Sequence, residues 1–179
     1  MTPFRKNVVV AGLGTAAMVA GLCVAGVQPA MGSEAAQAPR CHTSDLGAIF
    51  TQREGAAGSV YVKVRLTNTS LSTCAIYGYG GLKLVGPNPG QPDVPPTNLL
   101  RNRPPGPTLV VLAPGQAADK QLRYSTVPSA GDNQTGPCQV EPRRVLITPP
   151  DETTSLTINW IGGPVCNRGT IDGSAYFRA

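Results

Sequence analysis

The clearest pattern of hydrophobic and polar positions along the chain is a strict alternation over residues 60–67. The aliphatic positions are Val60, Val62, Val64 and Leu66, and the positions between them are Tyr61, Lys63, Arg65 and Thr67. Successive side chains of a β-strand point to opposite faces, so a period of two places the aliphatic set against a core and the other set toward solvent. The pattern predicts a strand with one buried face, followed by a turn at Asn68-Thr69-Ser70.

More short strands are predicted further along the chain. Runs rich in aliphatic and β-branched residues, separated by turn residues, occur at 73–77, 82–85, 108–112, 117–124, 144–148, 155–161 and 170–177. Pro114-Gly115 lies between two of these runs and predicts a hairpin there, with Lys120 in the alternation that follows. Since no segment after residue 40 offers three turns of amphipathic helix, we predict an all-β sandwich of antiparallel sheets.

Residues 86–107 interrupt this pattern with eight prolines and three glycines. Proline lacks the backbone N–H that a helix interior or a central strand needs, so this composition predicts a long surface loop. Such a loop is either a tolerated insertion or a binding element, and residues 98–103 could pair as an edge strand inside it.

The amino-terminal residues have the layout of a signal peptide. Arg5 and Lys6 precede a charge-free, largely apolar stretch over residues 7–33, and the small residues Ala30 and Gly32 suit cleavage after Gly32. Retention of this stretch as a membrane anchor and lipid attachment at Cys23 are the two alternatives. We therefore expect a signal peptide (1–32), a short linker (33–40) and one β-sandwich domain (41–179).

Cleavage would remove Cys23 and leave an even set of four cysteines in an exported chain. Cys41, Cys74, Cys138 and Cys166 are then expected to form two disulfides. Three connectivities exist for four cysteines, and we favour the sequential one, Cys41 with Cys74 and Cys138 with Cys166, because each pair brackets one strand-rich half.

The charge of the exported part is only mildly basic. From residue 33 onward there are 13 Lys and Arg and 10 Asp and Glu, which gives a net charge of +3. The basic pairs Arg101 with Arg103 and Arg143 with Arg144 lack the interleaved aromatic residues of a nucleic-acid platform. We predict solvated surface charge and no nucleic-acid partner, with membrane contact only through an uncleaved precursor.

The residues of catalytic and metal sites are scarce in the sequence. His42 is the only histidine and adjoins Cys41, so neither a nucleophile with a histidine base nor a zinc site is expected. Asp151 and Glu152 are adjacent acids, which point apart if they lie on a strand. There is no phosphate-binding G-x-x-x-x-G-K-[ST] motif. We predict no enzymatic activity, no cofactor and no metal.

The aromatic residues give the only candidates for a binding surface. Tyr77 and Tyr79 lie in a glycine-rich turn, so either could face a ligand or pack inside, and we group them with Arg101 and Arg103 as candidate surface residues. Trp160 shares strand phase with the aliphatic positions before it and is expected in the core. The glycan sequons at Asn68 and Asn133 predict that both turns are exposed.

A longer arrangement of motifs resembles a known family. Cys41, Asp45-Leu46 and the segment GAAGSVYVKVRLTNTSLSTCAIYGYGGLKL at 55–84 are followed by Leu112 to Gly115, Cys138 and Cys166. This order is similar to that in exported actinobacterial domains of unknown function. The resemblance implies an immunoglobulin-like β-sandwich on the cell surface or in the medium. Many relatives are lipoproteins, and no activity is assigned that could be carried over.

Together these observations predict a non-catalytic, secreted or envelope-associated binding module with an envelope protein or a cell-wall polymer as its partner. Two alternatives remain open. A proline-stiffened loop on a disulfide scaffold would suit a secreted inhibitor of a protease or another enzyme. The second alternative is a module that binds carbohydrate at the cell wall.

Overall fold

A computed structural model describes residues 38–86, 94 and 97–179. The predicted signal peptide, Cys23 and most of the predicted linker lie outside the described residues, as do parts of the proline-rich segment. Within these ranges the elements are eleven strands, a 3-10 turn at Thr43–Asp45 and one helical turn at Cys166–Gly169. The strands are β1 (Leu46–Ala56), β2 (Ser59–Asn68), β3 (Cys74–Tyr77), β4 (Gly81–Val85), β5 (Asn98–Arg103), β6 (Leu109–Leu112), β7 (Ala117–Ser125), β8 (Arg144–Thr148), β9 (Leu156–Asn159), β10 (Thr170–Ser174) and β11 (Phe177–Arg178).

These strands form three sheets around one core. The largest has the order β1-β2-β7-β10-β5, with β11 also paired to β7, and the smaller sheets are β3-β6 and β4-β8-β9. Buried side chains from all three sheets form a single cluster, which includes Val64 of β2, Leu112 of β6 and Ile147 of β8. The predicted all-β sandwich is confirmed, and the alternating burial of β2 follows the alternation in its sequence.

The pairing of β5 departs from the predicted antiparallel sheets. Residues 98–103 do form an edge strand, as expected, but β5 runs parallel to β10, with Leu99 opposite Ile171. The other strand pairs are antiparallel. The parallel pair is possible because a long connection separates β5 from β10 in sequence.

The strands differ from the predicted set in three other respects. Strand β1 was not predicted, and it pairs along its full length with β2 through a tight turn at Ala57 and Gly58, both with positive φ. The turn at Pro114-Gly115 exists, but β6 pairs with β3 and β7 pairs with β2, so the turn carries the chain between sheets. The run at 170–177 divides into β10 and β11.

The two disulfides have the favoured sequential connectivity. Cys41 is bonded to Cys74, and Cys138 is bonded to Cys166. The first disulfide ties the segment before β1 to β3, where Cys41 also donates a backbone hydrogen bond to the carbonyl of Ala75. The second ties the loop after β7 to the turn before β10. Trp160 is buried as predicted and packs on Phe50 and Tyr124.

Thr69, Leu71 and Ser72 of the turn at the first sequon are exposed, as predicted, but Asn68 itself is fully buried. Its Nδ2 donates to the carbonyls of Ser72 and Leu112, both at 2.8 Å, and its Oδ1 accepts from the backbone N–H and the hydroxyl of Ser70. All the hydrogen-bonding capacity of the amide is therefore used. Asn68 builds the β2–β3 turn and ties it to β6, so its side chain is not available to a glycan.

Replacing Asn68 with alanine is expected to lower the free energy of unfolding by about 3 kcal/mol, because the carbonyl of Leu112 loses its donor in a buried contact and the β2–β3 turn loses the side chain that builds it. Urea unfolding followed by circular dichroism measures this. Asn133→Ala, in the exposed second sequon, is the matched control and is expected to change stability by less than about 1 kcal/mol. Equal losses in the two variants would contradict the assigned role of Asn68.

Candidate functional site

A cleft of about 470 Å³ lies where three segments of the chain meet. One wall is the glycine-rich connection between β3 and β4, the second is the turn that follows β8, and the third is β5 with the residues after it. Its lining includes Tyr77, Tyr79, Arg101 and three prolines, Pro107, Pro149 and Pro150. We call this the tyrosine cleft.

The two tyrosines of the cleft have different environments. Tyr77 ends β3 and is 54% exposed, and its cross-strand neighbour Leu109 is 55% exposed. Tyr79 is half-buried, and its ring centre lies 5.8 Å from the guanidinium carbon of Arg101 and 5.9 Å from Nζ of Lys120. Tyr79 is thus held in place by two cations, whereas Tyr77 presents an open ring beside the cleft.

Gly80 explains why the connection between these walls is rich in glycine. Its φ is +61°, and a Cβ there would lie 2.5 Å from the carbonyl oxygen of Thr148 and 3.2 Å from the ring of Tyr176. A side chain would therefore push the connection away from β8 and open the cleft wall. Glycine at this position lets the backbone lie directly against the end of β8.

Lys120 lies behind Tyr79 and is only 2% exposed. Its ammonium donates to the carbonyl oxygen of Tyr79 and lies 5.4 Å from the ring centre of Tyr176. Burial, with a smaller contribution from the nearby charge of Arg101, lowers the pKa of Lys120 to about 7. In the sequence, Lys120 alternates with Ala118, Leu122 and Tyr124, which are the inward-facing positions of β7. A lysine among inward-facing positions was the signal that could have identified Lys120 as a buried cation.

Glu152 forms the acidic part of the cleft. Its Oε2 accepts from the backbone N–H and the hydroxyl of Thr43, while Oε1 lies 3.1 Å from Nδ1 of His42 and 3.4 Å from Nε of Arg40. The hydrogen bond from the Thr43 backbone N–H is the main cause that lowers the pKa of Glu152. The carboxylate therefore anchors the segment before β1 to the turn after β8.

Asp151 and Glu152 do not lie on a strand. The expectation that their side chains point apart, which holds for neighbours on a strand, therefore does not apply to them. Both belong to the turn after β8, where Asp151 has a φ of 58° and its carbonyl oxygen accepts from Arg40 at 2.9 Å. They line the same cleft, but both oxygens of the Glu152 carboxylate are engaged in the contacts that hold Arg40, His42 and Thr43.

The four predicted surface residues separate into two groups. Tyr77, Tyr79 and Arg101 line the tyrosine cleft together. Arg103 does not, because its guanidinium carbon lies 5.4 Å from the ring centre of Tyr61 of β2. The neighbouring Asn102 of β5 bonds to Asp172 of β10.

Within the described ranges, no three His, Cys, Asp or Glu side chains lie close enough together to hold a metal ion. The four cysteines of this part are in disulfides, and the ring of His42 contacts the carboxylate of Glu152. Among the described residues, no helix has the length and apolar character needed to cross a membrane. The disulfides fit an oxidising, extracellular setting.

The sequence profile of the family described as "domain of unknown function (DUF4232)" matches residues 41–176. The chain belongs to this family. The match begins at the first disulfide cysteine and ends at Tyr176, so it contains every residue of the tyrosine cleft and both disulfides of the DUF4232 domain. No curated protein and no solved structure matches the chain significantly.

Proposed function

We propose that this DUF4232 chain is a non-catalytic, secreted or envelope-associated binding module that holds its ligand in the tyrosine cleft. The observation that carries the proposal is the exposed ring of Tyr77, which lies with Leu109 beside a cleft of about 470 Å³. An aromatic ring that is open on a rigid scaffold provides a contact face at little entropic cost. The exported setting implied by the signal-peptide pattern and by the family resemblance is part of the proposal.

The contacts of the cleft support binding rather than catalysis. The Glu152 carboxylate is held by Thr43, His42 and Arg40, so its oxygens serve the structure of the cleft wall. The cleft walls are braced by the Cys41–Cys74 disulfide and by the close packing of Gly80 on β8. A rigid, preformed cleft of this kind is typical of ligand sites.

The combination of an open tyrosine with polar side chains favours a saccharide as the ligand. A sugar ring can stack on the apolar face of Tyr77 while its hydroxyls bond to Arg101 and to the exposed Asp151. The inhibitor hypothesis depends on the proline-rich segment, which is described only in part, and no contact of the described residues favours it.

Sedimentation with insoluble bacterial cell-wall polysaccharide tests the proposal. We expect the exported chain to sediment with the wall and Tyr77→Ala to weaken this binding about tenfold, as for a central aromatic contact. Tyr61→Ala, which removes a tyrosine outside the cleft, is the matched control. A wild-type chain that stays wholly in the supernatant would overturn the proposal, as would equal binding by Tyr77→Ala.

A further inference from the structure

The side of the tyrosine cleft next to Tyr79 carries two positive charges. The exposed guanidinium of Arg101 and the buried ammonium of Lys120 both lie within 6 Å of the ring centre of Tyr79. Within the described part of the chain, neither cation forms an ion pair with a carboxylate. Burying an ammonium without an acidic partner costs free energy. The buried charge also produces a strong local electric field, because the dielectric constant around it is low.

The acidic residues of the cleft do not compensate these charges. Glu152 is already paired with Arg40, and its carboxylate also accepts from Thr43. Asp151 is exposed to solvent, where its charge is screened. The cleft therefore has a neutralised part around Glu152 and a positive part around Tyr79.

We propose that the ligand of the tyrosine cleft is a polysaccharide that carries an anionic group, a carboxylate or a phosphate, and that this group lies against Arg101 while the buried charge of Lys120 stabilises it. This inference rests on the proposed function and specifies the chemistry of its ligand. Arg101 contacts the anion directly, as a planar donor suited to either oxyanion. Lys120 acts through its field and by fixing the carbonyl of Tyr79, so it is a positioning residue.

Binding of an anion beside Lys120 is coupled to protonation of its ammonium. An anion favours the charged form, so it raises the pKa of Lys120 from about 7, and binding is tighter below that pH than above it. The residues of β2 and β10 that lie against Lys120 are Val64 and Gly173, and neither has a charged side chain. Among the residues that the structure describes, the charged and titratable groups that face Lys120 are Arg101, Tyr79 and Tyr176.

The experiment uses cell-wall polysaccharide in three forms: untreated, with its carboxylates amidated by carbodiimide and methylamine, and with its phosphodiesters removed by hydrogen fluoride. We expect one treatment to weaken sedimentation about tenfold, which identifies the anion. Arg101→Gln is expected to cause a similar loss on untreated wall, and Arg144→Gln, an exposed arginine outside the cleft, none. Unchanged binding after both treatments, or by Arg101→Gln, would overturn the inference and leave the proposed function standing.

The role of Lys120 has a readout of its own. On untreated wall, affinity is expected to fall about threefold from pH 6 to pH 8 in the wild type, since wall carboxylates and phosphodiesters stay ionised over this range. Lys120→Met is expected to bind more weakly and without this pH dependence. His42→Gln should retain it, which separates Lys120 from the only histidine. A pH dependence that survives in Lys120→Met would contradict the role given to Lys120.

Discussion

Replacing Asp132 with alanine is expected to lower the free energy of unfolding by about 4 kcal/mol. The carboxylate of Asp132 is buried and accepts hydrogen bonds from four residues of two separate loops. Its donors are the backbone N–H and hydroxyl of Ser129, the backbone N–H groups of Asn167 and Arg168, and the side-chain amide of Gln139. Without the carboxylate these donors lose their acceptor in a site with little access to water.

The two backbone donors from the second loop explain why the expected loss is large. Asn167 and Arg168 both have a φ of 54°, a left-handed conformation that costs free energy in residues other than glycine. Consecutive residues in this conformation direct their N–H groups toward one anion, at 2.7 and 2.9 Å from the Asp132 oxygens. Removing the anion leaves the strained turn beside Cys166 without the interaction that stabilises it.

Guanidinium unfolding of Asp132→Ala at neutral pH measures this loss. Glu141→Ala, at an exposed acid with no such contacts, is the control and is expected to stay within about 0.5 kcal/mol of the wild type. Asp132→Asn should lose nearly as much as the alanine variant, because its amide group places donors against donors. Losses of less than 1 kcal/mol in both Asp132 variants would contradict the assignment.

The same site predicts an acid limit to stability. Burial alone would raise the pKa of Asp132, but the hydrogen bonds from Ser129, Arg168, Gln139 and Asn167 lower it well below its ordinary value. A depressed folded-state pKa stabilises the protein above the unfolded-state value of about 4, and this contribution is lost as the pH falls below it. The difference in stability between wild type and Asp132→Asn should therefore shrink on acidification from pH 5.

The elements that were predicted from sequence are those whose burial is encoded locally. Strand β2 alternates because one face meets the core, and the four cysteines pair in the order of their sequence halves. Strand β1 escaped prediction because it is an edge strand whose second half is exposed on both faces. It is stabilised by hydrogen bonds to β2 rather than by an apolar face, and such pairing leaves little trace in the sequence.

The Pro114-Gly115 turn shows a different limit. Its residues favour a tight turn, and the turn is present, with a hydrogen bond from Gln116 to Ala113. Whether the strands on either side pair with each other depends on partners far away in sequence, here β3 for β6 and β2 for β7. Turn chemistry specifies local geometry, whereas sheet membership is a tertiary property.

The candidate site was predicted only in part for the same reason. The glycines around Tyr77 and Tyr79 indicated an exposed turn, and Arg101 was included as a basic residue of the proline-rich segment. A bulge in the pairing of β5 with β10 lies between Leu100 and Arg103, so the phase of these residues could not be derived from a simple alternation. The role of Glu152 depends on Arg40 and Thr43, more than a hundred residues away.

Raising the pH from 7 to about 9.5 is expected to increase the free energy of unfolding by about 3 kcal/mol through Lys120 alone. Its buried ammonium pairs with no carboxylate of residues 38–86, 94 and 97–179, and burial, followed by the charge of Arg101, lowers its pKa to about 7 in the folded chain. The unfolded chain has an ordinary lysine, with a pKa of about 10.4. Between these values the unfolded chain binds more protons than the folded chain, so stability rises with pH.

Lys120→Met tests this expectation, because methionine has a similar length and carries no charge to bury. The variant should lose the rise in stability between pH 7 and about 9.5, and at pH 7 it should be at least as stable as the wild type, since replacing a buried charge by an apolar group is often neutral or stabilising by about 1 to 4 kcal/mol. Lys83→Met, at an exposed lysine of β4, controls for the loss of one positive charge and should retain the rise. Urea unfolding across this pH range gives both profiles. A wild-type profile as flat as that of Lys120→Met would mean that the ammonium behind Tyr79 remains fully solvated, and it would remove the buried positive charge from the cleft.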